Sequence, residues 1–153
     1  MKQDLQDIIS YLVSKTIELK DTYTEEKDLE IDYVCIFSHS DKEYQKLLKL
    51  ASEIGKVVDQ TQTGPVFKFQ NPPETKAGRP KLLKIRIPDP TKVQRGDTDF
   101  NTNYADFKSK YLGKPRFSLI ERKDFEMIEL KDPEFDVLVY FSSIPPSKQL
   151  KIT

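Results

Sequence analysis

The sequence predicts an α+β protein in which a helical N-terminal segment precedes two successive β-α-β-β-β units. Three observations predict it. Leu5, Ile8, Ile9, Leu12, Val13 and Ile17 recur at helical spacing near the N-terminus. From 31 to 88 a β-rich run, a capped amphipathic stretch and three more β-rich runs follow one another. From 97 to 142 the same order comes round again, which is the mark of an internal repeat. The alternative architecture is an α+β sandwich with an antiparallel sheet.

The elements follow in order. Asp4, Asp7 and Lys20 suit the dipole of the first helix at its two ends. Thr22, with Glu25 three residues on, has the form of a cap for a second helical turn, and residues 21–30 read as a solvated connector. Residues 1–30 are thus expected to be an N-terminal helical extension. Ile31-Asp32-Tyr33-Val34-Cys35-Ile36-Phe37 is β-branched, aromatic and apolar on both faces, as a buried strand is. Ser40 and Glu43 make a capping box, and Tyr44, Leu47, Leu48, Ala51 and Ile54 form the stripe of the helix it starts. Gly55 is expected to end that helix in the left-handed conformation. Val57-Val58 opens a strand that turns at Thr63-Gly64-Pro65 into 66–69, and a proline-rich loop over 71–80 leads to the alternating strand 82–87. Pro88 and Pro90 stop it. In the second unit 97–100 is a strand, Asn103 caps a helix carrying Tyr104, Phe107 and Tyr111, and 117–120, 125–130 and 137–141 are strands. Pro145-Pro146 opens a flexible tail over 145–153, so a single domain is expected at 31–144, with modules at 31–88 and 97–142.

Composition narrows the function classes. At 153 residues the chain reads as one domain, with a core built from Leu, Ile, Val, Phe and Tyr because it has no Trp. Its 25 basic and 25 acidic side chains cancel, which argues against a dedicated nucleic-acid binder. The basic stretch Lys76, Arg79, Lys81, Lys84, Arg86, Lys92 and Arg95 lacks interleaved stacking aromatics and reads as charged surface. The single Cys35 cannot form an intrachain disulfide, and no apolar run reaches the length of a membrane span. A cytoplasmic protein without nucleic-acid or membrane partners is the expectation. No phosphate-cradling glycine loop, serine elbow or nucleotide fingerprint occurs.

The stretch Lys131-Asp132-Pro133-Glu134-Phe135-Asp136-Val137-Leu138-Val139-Tyr140 reads as strand, tight acidic-proline turn, strand. It resembles the Asp-Pro-Asp-Gly-Asn-x-x-Glu-Leu signature that closes a βαβββ module in the glyoxalase, bleomycin-resistance and extradiol-dioxygenase superfamily, the vicinal oxygen chelate proteins. The resemblance covers 31 to 141. It implies that the two modules share a curved mixed sheet whose concave face encloses a small-molecule or metal site. In metal-dependent members the first strand often begins Asp-His, and a glutamate on the last strand binds the metal. Here Tyr33 stands for the histidine and Val139 for the glutamate. The last strand of the first module offers Lys84 or Arg86, and the first strand of the second offers Asp97 or Asp99. One ligand-type residue in four positions cannot supply the converging imidazole, carboxylate or thiolate shell of a transition metal. No metal and no cofactor is therefore the expectation. His39, in Ser38-His39-Ser40, reads as an exposed loop residue.

Side-chain alternation places Tyr33, Cys35 and Phe37 on one face, and separates Leu83, Ile85 and Ile87 from Lys84 and Arg86. The candidate ligand site is a cup with Tyr33, Phe37 and Val139 as its wall, Lys84 and Arg86 as a cationic rim, and Asp99 within it. Such a cup suits a small organic anion, with Arg86 gripping a carboxylate or phosphate in bidentate fashion. A metal-independent small-molecule-binding protein is the first functional expectation. A lyase or isomerase using Asp99 with Glu126 or Glu129 is the second, or a metal-dependent lyase, isomerase or dioxygenase with an atypical shell including His39. Glu126 and Glu129 face opposite sides of a regular strand, so only one of them joins a given site. The third is an interaction module that forms a homodimer through its N-terminal helix. Cys35 is expected to pack as a small hydrophobe.

Overall fold

Strand Ile31–Phe37 (β1) is buried along its whole length save Tyr33, because its β-branched and aromatic residues have partners on both faces and both edges. The computed structural model describes residues 3–152; residues 1, 2 and 153 of the two terminal spans lie outside the described residues. Around β1 the chain runs in the order α1 (Gln3–Tyr23), β1, α2 (Asp41–Ile54), β2 (Gly55–Thr61), β3 (Gly64–Phe69), β4 (Leu82–Arg86), β5 (Gly96–Phe100), α3 (Tyr104–Tyr111), β6 (Phe117–Glu121), β7 (Glu126–Leu130), β8 (Val137–Ser142) and α4 (Pro146–Gln149). The strands form one eight-stranded mixed sheet in the order β2-β3-β4-β1-β5-β8-β7-β6. Each βαβββ unit contributes four neighbouring strands, and its first strand runs parallel to its last: β1 with β4, β5 with β8. The modules join where β1 and β5 pair antiparallel.

Helices α1, α2 and α3 cover one face. Leu5, Ile9, Leu12, Val13 and Leu19 of α1 are buried in the same core as Ile36, Ile85, Phe100, Val137 and Phe141 of the sheet. Fully burying each such side chain contributes roughly 1.5–3 kcal/mol. α1 lies across β1, β5 and β8, over the seam between the modules. The acidic-proline turn holds it at two points: the Tyr11 hydroxyl donates to Asp136 Oδ2 at 2.7 Å, and the Tyr23 hydroxyl donates to Asp132. The expected N-terminal extension is therefore part of the domain's core. Among the described residues no helix is long and apolar enough to cross a membrane.

Three local expectations need correction. Thr22 does not cap a second helix; it lies within α1 and its hydroxyl donates back to the Glu18 carbonyl at 2.7 Å. Gly55 is extended (φ −163°), not left-handed, because β2 begins there without a connecting loop. A Cβ at Gly55 would stand 2.6 Å from the Lys68 carbonyl oxygen, so close backbone approach is what requires glycine. The residues after Pro145 are not a loose tail: they form α4, and Ser147 is buried against β1. The caps stand where expected, with Ser40 Oγ accepting from the Glu43 amide at 3.0 Å and Asn103 Oδ1 accepting from the Asp106 amide at 3.4 Å.

Candidate ligand-binding cavity

The other face of the sheet is concave. A cavity of about 370 Å³ opens on it, and its walls come from both modules: Asp59 and Thr61 on β2 at one side, Phe125 and Met127 near the β6–β7 turn at the other. Curvature of the sheet brings these outer strands together, since five strands separate β2 from β7 in its order. Pro146, Gln149 and Leu150, in and just after α4, complete the rim.

The floor is set by strand parity. On β5, Phe100 goes to the helix-side core, which leaves Asp97 and Asp99 facing the cavity. Asp99 pairs with Tyr33 of β1 on one side and Tyr140 of β8 on the other. Both carboxylates are nearly inaccessible, at 7% and 2% exposure, and among the described residues Oδ1 of each has no hydrogen-bond partner. Ser142 Oγ donates to Asp99 Oδ2. Burial pushes the Asp97 carboxyl up to about 7, against the opposing pull of Lys84 and Arg86. Burial likewise drives Asp99 well above the usual carboxylate range, with the Ser142 hydroxyl pulling the other way.

The remaining groups are placed with equal definition. Lys84 lines the cavity and donates to Thr63 Oγ1 at 2.5 Å. The Tyr140 hydroxyl donates to Glu129 Oε2 at 2.7 Å, and burial raises its pKa. Burial also holds Tyr33 and Cys35 well above their ordinary values, so neither supplies an anionic nucleophile near neutral pH.

Of the expected site residues, Tyr33, Lys84 and Asp99 meet at this cavity. Phe37 lies on the concave side but beside the cavity, under the Arg86 guanidinium, whose central carbon is 5.7 Å from the ring centroid. Arg86 also pairs with Asp89 at 3.4 Å, and neither it nor Phe37 lines the wall. Val139 is the plain correction. It is fully buried in the helix-side core with Val137 and Phe141, because these three apolar residues share one parity of β8. Tyr140 and Ser142 of the other parity hold the cavity position. Glu126 and Glu129 do face opposite sides: Glu126 accepts from Tyr104 at 2.7 Å and Lys108 at 2.6 Å of α3, while Glu129 meets Tyr140. His39 Nε2 sits 2.9 Å from the Gln94 carbonyl oxygen, away from the cavity.

A divalent metal does not fit this residue set. The cavity offers Tyr33, Lys84, Asp97, Asp99 and Tyr140, two buried carboxylates with no imidazole or thiolate beside them to complete a transition-metal shell. Among the described residues no group of three or more His, Cys, Asp or Glu is arranged to hold a metal ion.

No family model matches the sequence, and no curated protein matches it. A solved structure from structural genomics, protein EC4020, is similar over 97% of this chain and 92% of that one, with a TM-score of 0.73 and 13% sequence identity. At that identity the likeness shows the fold.

Proposed function

We propose that this protein binds a small organic molecule without a metal, on the concave face of paired modules of the glyoxalase-superfamily kind. One observation carries the reading: a cavity walled by both modules has buried carboxylate oxygens on its floor with no donor. An unpaired buried acid costs several kcal/mol, so a purely structural strand would do better with an apolar residue there. A ligand that supplies donors removes the cost. The cavity volume lies within the range of small-molecule sites. The organic anion expected from a cationic rim is the less supported ligand, because Arg86 is engaged by Asp89 and Phe37 outside the wall.

A thermal-shift screen of small metabolite-like compounds tests the reading, run in parallel on Met127→Trp, which fills the cavity from β7. A ligand at a hundred times its Kd stabilises the native state by about 2.7 kcal/mol. Compounds that raise Tm in the wild type and not in Met127→Trp support the proposal. A screen without shifts, or with equal shifts in both proteins, counts against it.

A further inference from the structure

The floor of the cavity has the chemistry of a cation site. Asp99 lies between two phenol rings, Tyr33 and Tyr140, one on each neighbouring strand, and Asp97 follows it two residues back on the same face. The Tyr140 hydroxyl is taken by Glu129, which leaves its ring as the part available to a ligand. Two carboxylate oxygens there lack donors, and both side chains are more than nine-tenths buried. The one lysine on the wall, Lys84, is tied to Thr63, and Arg122 stands exposed at the mouth. Above the floor the wall turns apolar, with Val66, Leu82, Phe125, Met127 and Leu150. A protonated amine carries three donors and a charge that aromatic faces attract, and that charge draws the raised Asp97 and Asp99 carboxyls towards their ionised form. A hydroxyl offers one donor and no charge, and a carboxylate ligand repels Asp97 and Asp99 in their ionised form.

Resting on the ligand-binding reading above, we infer that the cavity takes a primary amine with a short apolar or aromatic body, its ammonium against Asp97 and Asp99 between Tyr33 and Tyr140. The body lies along Leu82, Phe125 and Met127. Asp99 is the central contact, because it alone has a ring on both neighbouring strands.

Three probes of one size and different charge test this: phenethylamine, 2-phenylethanol and 3-phenylpropionate, titrated against the full chain by NMR. Phenethylamine is expected to bind at least tenfold more tightly than the alcohol, and the acid weakest. Asp99→Asn is expected to weaken the amine at least tenfold and to leave the alcohol within about threefold. Met127→Trp, which keeps both carboxylates, is expected to abolish amine binding through bulk alone. Equal affinity for amine and alcohol overturns the inference, as does preferential binding of 3-phenylpropionate lost in Lys84→Met. Those two results leave the cavity standing as a ligand site. Failure of all three probes overturns the amine inference, and only an unproductive thermal-shift screen removes the ligand-binding reading with it.

Discussion

Ser147 binds Asp32 twice, through its hydroxyl to Oδ1 at 2.6 Å and through its amide to Oδ2 at 2.9 Å. The contact spans 115 residues and fastens the C-terminal helix α4 to the first strand of the sheet. A register shift in β1 between Ile31 and Tyr33 accompanies it. Both residues are buried, so the hydroxyl cannot be replaced by solvent without rearrangement.

Ser147→Ala is therefore expected to lower stability by about 1.5–3 kcal/mol, the range for a hydrogen bond to a charged group. Urea denaturation measures it. A change below about 0.5 kcal/mol would mean that α4 does not contribute to the folded state through this contact.

Asp97 makes stability depend on pH in the sense opposite to an ion-paired acid. Its carboxyl titrates at about 7 in the folded protein against an ordinary 3.8, because burial outweighs Lys84 and Arg86, and Glu129 adds to the upward push. Between those values the native state holds a proton that the unfolded chain has lost. Stability then falls as pH rises from about 4 to 7 and levels off above, by on the order of 4 kcal/mol for a gap of about three pH units. Asp97→Asn cannot ionise, so it is expected to match the wild type near pH 4 and exceed its Tm at pH 8. Parallel Tm profiles for the two proteins would show that Asp97 is ionised and solvated in the fold. Asp99 acts with the same sign, and the double variant is expected to be flatter still.

Most of the architecture was legible because it rests on patterns of short range. The capping residues Ser40 and Asn103, the hydrophobic stripe of α2 and the repeated strand order all emerge from local spacing. The parity of Glu126 and Glu129 was legible for the same reason. What failed depended on contacts distant in sequence. Gly55 is required by the Lys68 carbonyl across a hairpin, and no local signal reveals an approach of that kind. The docking of α4 depends on Asp32, and that of α1 on Tyr11 and Tyr23 meeting Asp136 and Asp132 more than a hundred residues on. Val139 is different, since the signal was present. Val137, Val139 and Phe141 are uniformly apolar, and the polar Tyr140 and Ser142 mark the cavity side, so alternation outranks a count of residues from the turn.

Gly96 gives a test of how tightly the N-terminal helix is seated. A Cβ there would lie 2.1 Å from the Cys35 carbonyl oxygen and 3.0 Å from Leu12 Cδ1. Backbone on one side and a packed α1 leucine on the other leave it no room. Leu12→Ala removes a fully buried side chain and is expected to cost about 2–5 kcal/mol. Gly96→Ala should cost at least as much, because β1 and β5 must separate at the module seam to accept it. Chemical denaturation of both variants checks the order. A Gly96→Ala protein within about 1 kcal/mol of wild type would show that the seam has slack.

The turn signature would place a metal-binding glutamate at position 139, so restoring it is a direct test of register. In this structure Val139→Glu buries a carboxylate in the core with Phe100 and Phe141, where the buried Lys20 over the Phe100 ring is already engaged by Asp21 and the Glu26 carbonyl. The expected cost exceeds about 3–5 kcal/mol, enough to unfold a domain of ordinary stability. Tyr140→Glu instead places the carboxylate in the cavity near Lys84, and is expected to remain folded with a lower Tm. Circular dichroism melts of both variants, with and without zinc, distinguish the two registers. A folded Val139→Glu protein whose Tm rises with zinc would mean that β8 presents the odd-numbered residues to the cavity. Unfolding of that variant alongside a folded Tyr140→Glu protein is the outcome the core packing of Val137, Val139 and Phe141 requires.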